Sequence, residues 1–462
     1  MNYDRLKQPL VLVVFGITGD LSQRKLLPAL YRLAENGDLP DQLHILGISR
    51  RSVSKDDVFA KLSTFVGEDY NETVAQRLKD STMMRQVDLQ DRQAYETLLA
   101  DVHAIEAPLG KDINRLYYLS IPPQAFAGVV QLLGETGHNL SGADSDNLPR
   151  LLVEKPFGHD LASARELIQL LGEYFDESQV YRIDHYVAKE TVQNMLVFRF
   201  QNPLFASIWN TRHIERITVT AYEKLDIEGR IATYEQTGAL RDLIQSHLLQ
   251  LLAIITMAKP VKLESKYIHD EKLKLLQMVQ PIQPESVADA ALRGQYEGYR
   301  DEVGNPSSTI ETFARLQLAI NGPDWQNVPI ILQTGKALSE RRTEIDVLFR
   351  QPPDMPGEQN RLVFRIQPHE GITLRLQTKQ PGIKNATQAA DMDFEYARSF
   401  TTRSAQAYER VIADAIRGDQ TLFASNLEVI RSWEIIENVL KQWEQNGDSL
   451  RTYPKGSDGP VR

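Results

Sequence analysis

The chain has 462 residues, of which 42% are hydrophobic and 25% are charged, so we expect a globular protein of two or three domains. It has no cysteine, which excludes disulfides, cysteine-ligated metal centres and thiol nucleophiles. Its formal net charge of −10 argues against a nucleic-acid or anionic-membrane partner, and we find no apolar run long enough to span a bilayer. We therefore expect a cytoplasmic protein that gathers basic side chains where it binds an anionic ligand.

The N-terminal part of the chain alternates short apolar runs with helical patterns. The runs PLVLVVFGI, HILGISR, RLYYLSIPP and RLLVEKPFG predict strands. DLSQRKLLPALYRLAEN and LASARELIQLLGEYF predict helices. Such alternation is typical of a parallel sheet with helices on both faces.

A glycine loop joins the first predicted strand to the first predicted helix. Glycines allow the backbone to turn tightly and to approach a pyrophosphate, and the helix that follows offers unpaired N–H groups to the phosphates. The loop residues that we select are Gly16, Thr18, Gly19, Asp20 and Leu21. The loop also fits an ordinary tight turn. With the strand pattern, it predicts an α/β, Rossmann-type dinucleotide-binding domain over residues 1–185.

The second predicted strand ends in Ser49-Arg50-Arg51. NAD-binding proteins usually carry Asp or Glu at this position to hold the ribose hydroxyls. A guanidinium group suits a 2′-phosphate instead, so Arg50 predicts NADP, with NAD as a weaker alternative. Arg51 fits a solvated surface charge equally well.

Two polar segments follow later strands. In EKPFG, Lys155 lies at a strand end that faces the ligand crevice of an open sheet, and we expect Pro156 to fix its direction, with a cis bond as one option. Alone, this lysine also fits an exposed strand-end turn.

In RIDHYVAKE, His185, Tyr186 and Lys189 form a donor-rich cluster suited to a phosphate monoester. Extended backbone would point Asp184 away from His185, so we expect the two to serve different partners. A charged strand end with internal ion pairs is the alternative.

The character of the chain changes after about Tyr186. Strand patterns occur at HIERITVTAY, TFARLQLAI, VPIILQT, EIDVLFR, NRLVFRIQP and GITLRLQT, and several of them alternate apolar and polar residues. Helical blocks are predicted at ALRDLIQSHLLQLLAIITMA and SAQAYERVIADAIRGD. In the first block, His247 shares an apolar face with Leu243 and Ile244, which alone favours a core histidine. We predict a larger α+β domain with a mainly antiparallel sheet over residues 186–462.

Together these segments resemble the glucose-6-phosphate dehydrogenase family over nearly the whole chain. GITGDLSQRK is similar to the family's coenzyme loop, and EKPFG and RIDHYVAKE are similar to its best-known segments. YEQTGALRDLIQSHLLQ resembles its catalytic-histidine helix, LQTGKALSERRTEI its substrate-lysine segment and AYERVIADAIRGDQTLF a C-terminal block. The spacing from RIDHY to His247 is the most specific feature, and it reverses the interpretation of His247 as a core residue.

The resemblance implies the roles of the site residues. His247 would be the general base that removes the proton of the anomeric hydroxyl, and Asp184 the carboxylate that orients it. The implied substrate-binding residues are Lys25, Lys155, His185, Tyr186, Lys189, Glu223, Asp242, Lys336, Arg341 and Gln367. The implied coenzyme-binding residues are Gly16, Thr18, Gly19, Asp20, Leu21, Arg50, Tyr118, Pro122 and Lys155.

The implied reaction is oxidation of D-glucose 6-phosphate to 6-phospho-D-glucono-1,5-lactone with reduction of NADP, the first step of the oxidative pentose phosphate pathway. No metal is expected, because the base handles the proton and the nicotinamide accepts the hydride. The resemblance also implies a homodimer or a dimer of dimers formed through the sheet of the second domain, so residues 186–462 would be the substrate and dimerisation domain. Two alternatives stay open: an oxidoreductase for a non-phosphorylated sugar, and a catalytically silent NADP-binding protein.

The chain departs from the family pattern at five positions, which are Ala188, Ile231, Ala232, Ser246 and Gln333. None of them removes a proposed catalytic group. Ile231-Ala232 replace a glycine pair, so a loop that needs positive φ angles there would have to be built differently.

Overall fold

The computed structural model describes residues 6–110, 112–141, 147–229, 231–354, 357–401, 403–445 and 449–461. The chain forms two compact units. The first comprises Met1–Gly158, Ala162–Ala188 and Ala405–Asn426, and the second comprises His159–Leu161, Lys189–Ser404 and Leu427–Arg462. Residues 405–426 thus belong to the first unit. The single domain boundary at 185/186 predicted from the sequence does not anticipate this. The functional domains over 1–185 and 186–462 stay a prediction.

Sixteen strands lie in the described residues. They are β1 Leu10–Phe15, β2 Leu43–Ser49, β3 Thr82–Gln86, β4 Asn114–Leu119, β5 Arg150–Val153, β6 Val180–Arg182, β7 Ile214–Tyr222, β8 Val279–Gln280, β9 Ala291–Tyr296, β10 Phe313–Ile320, β11 Ile330–Gly335, β12 Arg342–Phe349, β13 Arg361–Gln367, β14 Gly371–Lys379, β15 Thr387–Glu395 and β16 Leu450–Tyr453.

The α-helices of the described residues are α1 Leu27–Asn36, α2 Lys55–Phe59, α3 Leu62–Val66, α4 Glu72–Asp80, α5 Arg92–Glu106, α6 Pro123–Glu135, α7 Leu161–Tyr174, α8 Glu190–Gln201, α9 Pro203–Ala206, α10 Ile231–Ala239, α11 Leu249–Thr256, α12 Ser265–Met278, α13 Val287–Ala290, α14 Tyr299–Val303, α15 Tyr396–Ser399, α16 Ala407–Arg417 and α17 Asn426–Gln445. Two segments are π-helical, Ser22–Leu26 and Leu240–Leu248. Short 3₁₀ turns occupy Glu177–Gln179 and Pro284–Ser286.

The first unit is built on a six-stranded sheet in the order β3-β2-β1-β4-β5-β6. All of its pairings are parallel. Every residue of β1 is at most 1% exposed, as a central parallel strand requires, because both of its faces are covered. The strand order reverses at β1, so the crevice beyond the carboxyl end of β1 is the topological switch point where such sheets bind ligands.

Helix α16 belongs to the first unit, and a side chain at the start of β5 contacts its C-terminal end. At the start of β5, Arg150 donates to the carbonyl oxygens of Ala415 and Ile416, at 2.9 and 2.8 Å. A cation at the C-terminal carbonyls of a helix satisfies unpaired acceptors and complements the helix dipole. A chain segment more than 200 residues downstream thereby completes the first unit.

The second unit is built on a ten-stranded sheet in the order β15-β14-β13-β12-β7-β11-β10-β9-β16, with β8 paired to β10. Its pairings are antiparallel except for β7 with β11 and β9 with β16. β12 and β13 alternate buried and partly exposed residues, as strands with one buried face do. The fold prediction, a Rossmann-type domain followed by an α+β domain with a mainly antiparallel sheet, is confirmed.

Candidate active site

The glycine loop begins directly after β1. Gly16 has φ +79°, and a Cβ atom placed on it would lie 2.0 Å from the carbonyl oxygen of Ser120, at the end of β4. The Gly16 N–H donates to Ile48 O at 3.1 Å, and the Gly19 N–H donates to Gly16 O at 2.9 Å. The loop therefore lies against the carboxyl ends of both neighbouring strands, and only glycine fits at its first position.

The other predicted coenzyme residues of this region lie around the loop. Arg50 directly follows β2 and is exposed, and the pairing of Phe15 with Ile48 places it beside the loop. Thr18 is exposed in the turn, whereas Leu21 is partly buried. Asp20 forms an exposed ion pair of 2.7 Å with Arg24. The carboxylate is therefore engaged within the helix start.

Tyr118 and Pro122 lie at the end of β4, on the other side of the loop. Pro122 precedes the first turn of α6. Tyr118 is fully buried, and its hydroxyl donates to the carboxylate of Glu154. Burial raises the pKa of the Tyr118 hydroxyl well above its ordinary value, so the group is a neutral donor.

The EKPFG segment leaves the end of β5. The peptide bond between Lys155 and Pro156 is cis, which confirms the option considered from the sequence. Lys155 is partly exposed, and Phe157, two residues on, is 8% exposed. Lys25, the other lysine predicted in this unit, is exposed in the π-helical segment after the glycine loop.

The RIDHY segment does not continue as extended backbone after β6. Residues 185–188 form a turn, in which the Asp184 carboxylate accepts the N–H of Tyr186 at 2.9 Å and that of Val187 at 3.4 Å. The expectation that Asp184 points away because the backbone is extended is therefore wrong: an aspartate favours a turn by binding the amides that follow it. His185 and Tyr186 pack with ring centroids 4.9 Å apart.

Lys189 is the first residue of the long segment of the second unit and precedes α8. Its ammonium nitrogen lies 3.8 Å from Glu370 Oε1. Burial raises the pKa of the Glu370 carboxyl, and the charge of Lys189 opposes that rise. Lys189 therefore has a partly buried carboxylate as its neighbour within the second unit.

His247 lies in the π-helical segment Leu240–Leu248 and is 1% exposed. Helical turns of this kind often occur at functional sites. The first N–H of the segment, that of Leu240, donates to Glu311 Oε1 at 2.9 Å. Burial raises the pKa of Glu311. Sequence reasoning missed Glu311, because nothing in the order of residues links a loop carboxylate to a helix 71 residues earlier.

Four predicted substrate residues meet at one edge of the large sheet. β7 and β11 end side by side in parallel, so Glu223 and Lys336 follow at neighbouring positions and form an ion pair. Arg341 immediately precedes β12, which pairs with β7 in the antiparallel direction from Arg342 and Tyr222 onwards. Arg341 donates to the side-chain oxygen of Gln367, at the end of β13, at 3.3 Å. The structure thus brings together four side chains from three separate segments of the chain.

Tyr234 is a further polar residue of this region that the sequence did not single out. The Lys336 ammonium lies 5.2 Å from the centre of its ring. Burial first, and then the nearby negative charges of Asp242, Glu311 and Glu223, raise the pKa of the Tyr234 hydroxyl well above its ordinary value. Asp242, itself a predicted substrate residue, is therefore part of the same charged neighbourhood.

The departures from the family pattern are accommodated locally. Ile231 begins α10 and packs against a buried apolar cluster, while the positive φ angles fall earlier, at Glu228 and Gly229. Arg230 and the side chain of Ala232 lie outside the described residues. The Ala188 N–H closes the RIDHY turn on Asp184 O at 3.3 Å.

Two further departures, in the second unit, also have local partners. Ser246 donates to Asp242 O at 3.4 Å, and Gln333 donates to Thr220 Oγ1 at 3.1 Å. The Ser246 hydroxyl therefore has a partner in its own helical segment, and the Gln333 amide has one in the neighbouring strand β7.

Two properties bear on the kind of site. Among the described residues, no group of three or more His, Asp or Glu side chains is placed to hold a metal ion. Within the same residues, no helix is both long and apolar enough to cross a membrane.

Comparisons with known proteins cover the whole chain. The family model for the glucose-6-phosphate dehydrogenase NAD-binding domain matches residues 13–194, and that for the C-terminal domain of the same enzyme matches residues 196–462. The chain is 36% identical to glucose-6-phosphate 1-dehydrogenase of Chlamydia pneumoniae, over 100% of this chain and 94% of the relative. It is 37% identical to glucose-6-phosphate 1-dehydrogenase 6, cytoplasmic, of Arabidopsis thaliana, over 98% of this chain and 89% of the relative.

A solved structure, described as glucose-6-phosphate dehydrogenase in complex with its substrate glucose-6-phosphate, superposes with a TM-score of 0.90. It is 33% identical, and the match covers 98% of this chain and 96% of that one. The chain therefore belongs to the glucose-6-phosphate dehydrogenase family of pyridine-nucleotide-dependent oxidoreductases.

Proposed function

We propose that the protein oxidises D-glucose 6-phosphate to 6-phospho-D-glucono-1,5-lactone and reduces NADP. The observation that carries this proposal is the convergence of Glu223, Lys336, Arg341 and Gln367 at one edge of the large sheet, in a chain that matches the family over its full length. Carboxylate, ammonium and amide groups in one place suit the hydroxyls of a sugar, which both donate and accept hydrogen bonds.

His247 is the proposed general base. A neutral imidazole accepts the proton of the anomeric hydroxyl as the C1 hydrogen leaves. Asp184 is the proposed orienting carboxylate, and its two bonds to backbone amides support that role because they fix where its oxygens lie.

The phosphate of the substrate is assigned to His185, Tyr186 and Lys189. Imidazole, phenol and ammonium groups supply charge-assisted donors to a phosphate monoester. A sugar without a phosphate would leave these donors unused.

The residues of the first unit fit a dinucleotide. The close approach of Gly16 to Ser120 leaves the loop without a side chain where a pyrophosphate would lie, and the exposed Arg50 guanidinium suits a 2′-phosphate. When bound, the nicotinamide ring supplies the hydride acceptor. Lys155 is proposed to contact both the coenzyme and the substrate.

A substrate comparison tests the proposal. We expect NADP reduction with glucose 6-phosphate to exceed that with glucose by at least about 10²-fold in kcat/KM, because several charge-assisted bonds to the phosphate are lost with glucose. Equal efficiency on both sugars would favour an oxidoreductase for non-phosphorylated sugars. No turnover with either would favour a silent NADP-binding protein.

A variant of the base separates chemistry from binding. His247→Asn should lower kcat by at least about 10²-fold, the low end for a lost general base, with glucose 6-phosphate binding largely kept. Unchanged turnover would remove His247 from the mechanism.

We also propose that the chain forms a homodimer through the large sheet. In support, β15 is an edge strand of nine residues, and on it Met392 is 64% exposed. Long exposed edges tend to be covered by another chain. Light scattering should give twice the chain mass of 52.5 kDa, or four times that mass for a dimer of dimers, whereas a monomer would contradict the proposal. A cytoplasmic location is proposed by analogy with the Arabidopsis relative.

A further inference from the structure

A partly buried cluster of two tyrosines and one glutamate in the first unit includes two residues, Glu154 and Tyr408, with no role assigned so far. Its members are Tyr118 on β4, Glu154 directly after β5, and Tyr408 in the first turn of α16. Both tyrosine hydroxyls donate to the Glu154 carboxylate. Tyr408 lies more than 250 residues beyond Glu154, so the cluster exists only because α16 packs into this unit.

The geometry of the cluster follows from the sheet. Tyr118 pairs with Leu152 across β4 and β5, and Glu154 lies two residues beyond Leu152, on the same face. Tyr118 therefore reaches Glu154 diagonally across the two strands. Arg150, on that face too, holds the other end of α16 through its carbonyl groups. The first residue of β5 and the residue that follows the strand thus contact opposite ends of α16.

The position of the Glu154 carboxylate matters for Lys155 because the carboxylate carries a negative charge. Burial raises the pKa of this carboxyl, while the two tyrosine hydroxyls and the adjacent Lys155 favour its charged form. An anion next to Lys155 would compete with an anionic ligand for the lysine. Two hydroxyl donors hold the carboxylate in a fixed place, within the fold.

The segment that carries Lys155 is held at its far end as well. Gly158 packs so closely on α7 that a Cβ atom there would lie 2.6 Å from the backbone nitrogen of Ala164. Phe157, the residue before it, is buried. Lys155 therefore lies on a short segment with one anchor at Glu154 and a second anchor at Gly158.

We infer that Glu154, held by Tyr118 and Tyr408, is a positioning residue that sets the direction of Lys155 for the reaction. The inference rests on the proposed function, in which Lys155 contacts coenzyme and substrate. Glu154 itself touches neither in this scheme and acts only through the lysine.

A double-mutant cycle tests the inference. Tyr408→Phe should lower kcat/KM by about 10-fold, as expected for one lost hydrogen bond to a charged group, and Glu154→Ala by about 10²-fold for two. Glu154→Gln should retain more activity than Glu154→Ala, because its amide still bonds to both hydroxyls. In a Lys155→Met background, Tyr408→Phe and Glu154→Ala should change kcat/KM by less than about 2-fold, since the group on which they act is gone.

A matched control is Tyr70→Phe, which removes a tyrosine–glutamate hydrogen bond of 3.1 Å from the surface of the same unit. It should leave kcat/KM unchanged. The thermal unfolding midpoints of all variants identify any that lose activity because they are unstable. Tyr408→Phe removes a single oxygen atom, so the test still holds if the larger truncation in Glu154→Ala prevents folding.

The outcomes are distinguishable. Equal fold-losses in the wild-type and Lys155→Met backgrounds would mean that the cluster only stabilises the fold, and the inference would be overturned while the proposed function stands. It would also be overturned if Lys155→Met itself left kcat/KM unchanged. Failure of the wild-type protein to reduce NADP with glucose 6-phosphate would instead overturn the proposed function.

Discussion

The first position of the glycine loop offers the sharpest test of the coenzyme site. In Gly16→Ala, the new side chain meets two separate penalties. An alanine at φ +79° costs about 1–2 kcal/mol because its Cβ crowds the backbone in the left-handed region. Its Cβ would also lie 2.0 Å from Ser120 O, whereas real Cβ atoms stay beyond 3.0 Å, so the loop or the end of β4 must move by about 1 Å.

Gly37 isolates the first penalty. It has φ +75° at the end of α1, in the same unit, and a Cβ atom there would meet nothing within 4 Å. Gly37→Ala should therefore lower the free energy of unfolding by about 1–2 kcal/mol and leave the Kd for NADP unchanged. Gly16→Ala should destabilise at least as much and also weaken NADP binding by about 10²-fold, since a displacement of 1 Å costs about that factor at a preorganised site.

The assay is a fluorescence titration of each variant with NADP, alongside urea unfolding. If Gly16→Ala bound NADP with the wild-type Kd, the loop would not be the pyrophosphate site, whatever its effect on stability.

Three further predictions concern other parts of the site and the fold. Arg50→Ala should raise the KM for NADP far more than that for NAD, because only NADP carries the 2′-phosphate, and equal effects in initial-rate kinetics would remove Arg50 from that role. Lys336→Met should raise the KM for glucose 6-phosphate, and an unaltered KM would contradict the assignment of Lys336 to the substrate. The same variant should lower the free energy of unfolding by about 1–2 kcal/mol, because the side chain of its partner Glu223 is 34% exposed and water compensates part of the lost ion pair. Burial lowers the pKa of His138 to about 4, and its neutral ring accepts a hydrogen bond from the Tyr117 hydroxyl and donates one to Tyr95 O. Because the ring is protonated more readily in the unfolded chain, its contribution to stability is full above pH ~6.5 and falls by up to about 3 kcal/mol as the pH drops to about 4. Urea unfolding across this range should show a flatter pH dependence for His138→Gln, and identical slopes would contradict the argument.

Much of the fold follows from local pattern. β1 and β2 lie where continuous apolar runs predict them, because a central parallel strand is buried on both faces. β3 was missed because an edge strand with exposed residues, such as Met83 at 40%, has no apolar run to reveal it. The exposed β15 escaped detection for the same reason.

Long-range packing was the part that sequence pattern could not supply. The sequence predicts the AYERVIADAIRGD block as a helix, but long-range contacts, such as those of Arg150 with its end, place it in the first unit. The sequence also predicts the helix that carries His247, but it indicates neither the π-helical winding of that segment nor the distant Glu311 that accepts its first N–H. The cluster of Glu223 with Lys336 needed the parallel pairing of β7 with β11, which no local signal encodes.

The RIDHY segment shows a different limit. Its residue types were informative, but the extended backbone assumed for it was wrong, because Asp184 binds the amides of Tyr186 and Val187 and favours a turn. Local hydrogen bonds of this kind depend on one side-chain rotamer and leave no periodic pattern in the sequence.

The central claim is that the protein transfers the C1 hydrogen of glucose 6-phosphate to the coenzyme. The most direct measurement incubates the protein with NADP and glucose 6-phosphate deuterated at C1, and follows both products by mass spectrometry and NMR. The account predicts that the deuterium appears on the nicotinamide ring, with 6-phosphogluconolactone or its hydrolysis product formed in equal amount. Reduced coenzyme without deuterium, or no reduction at all, would contradict it.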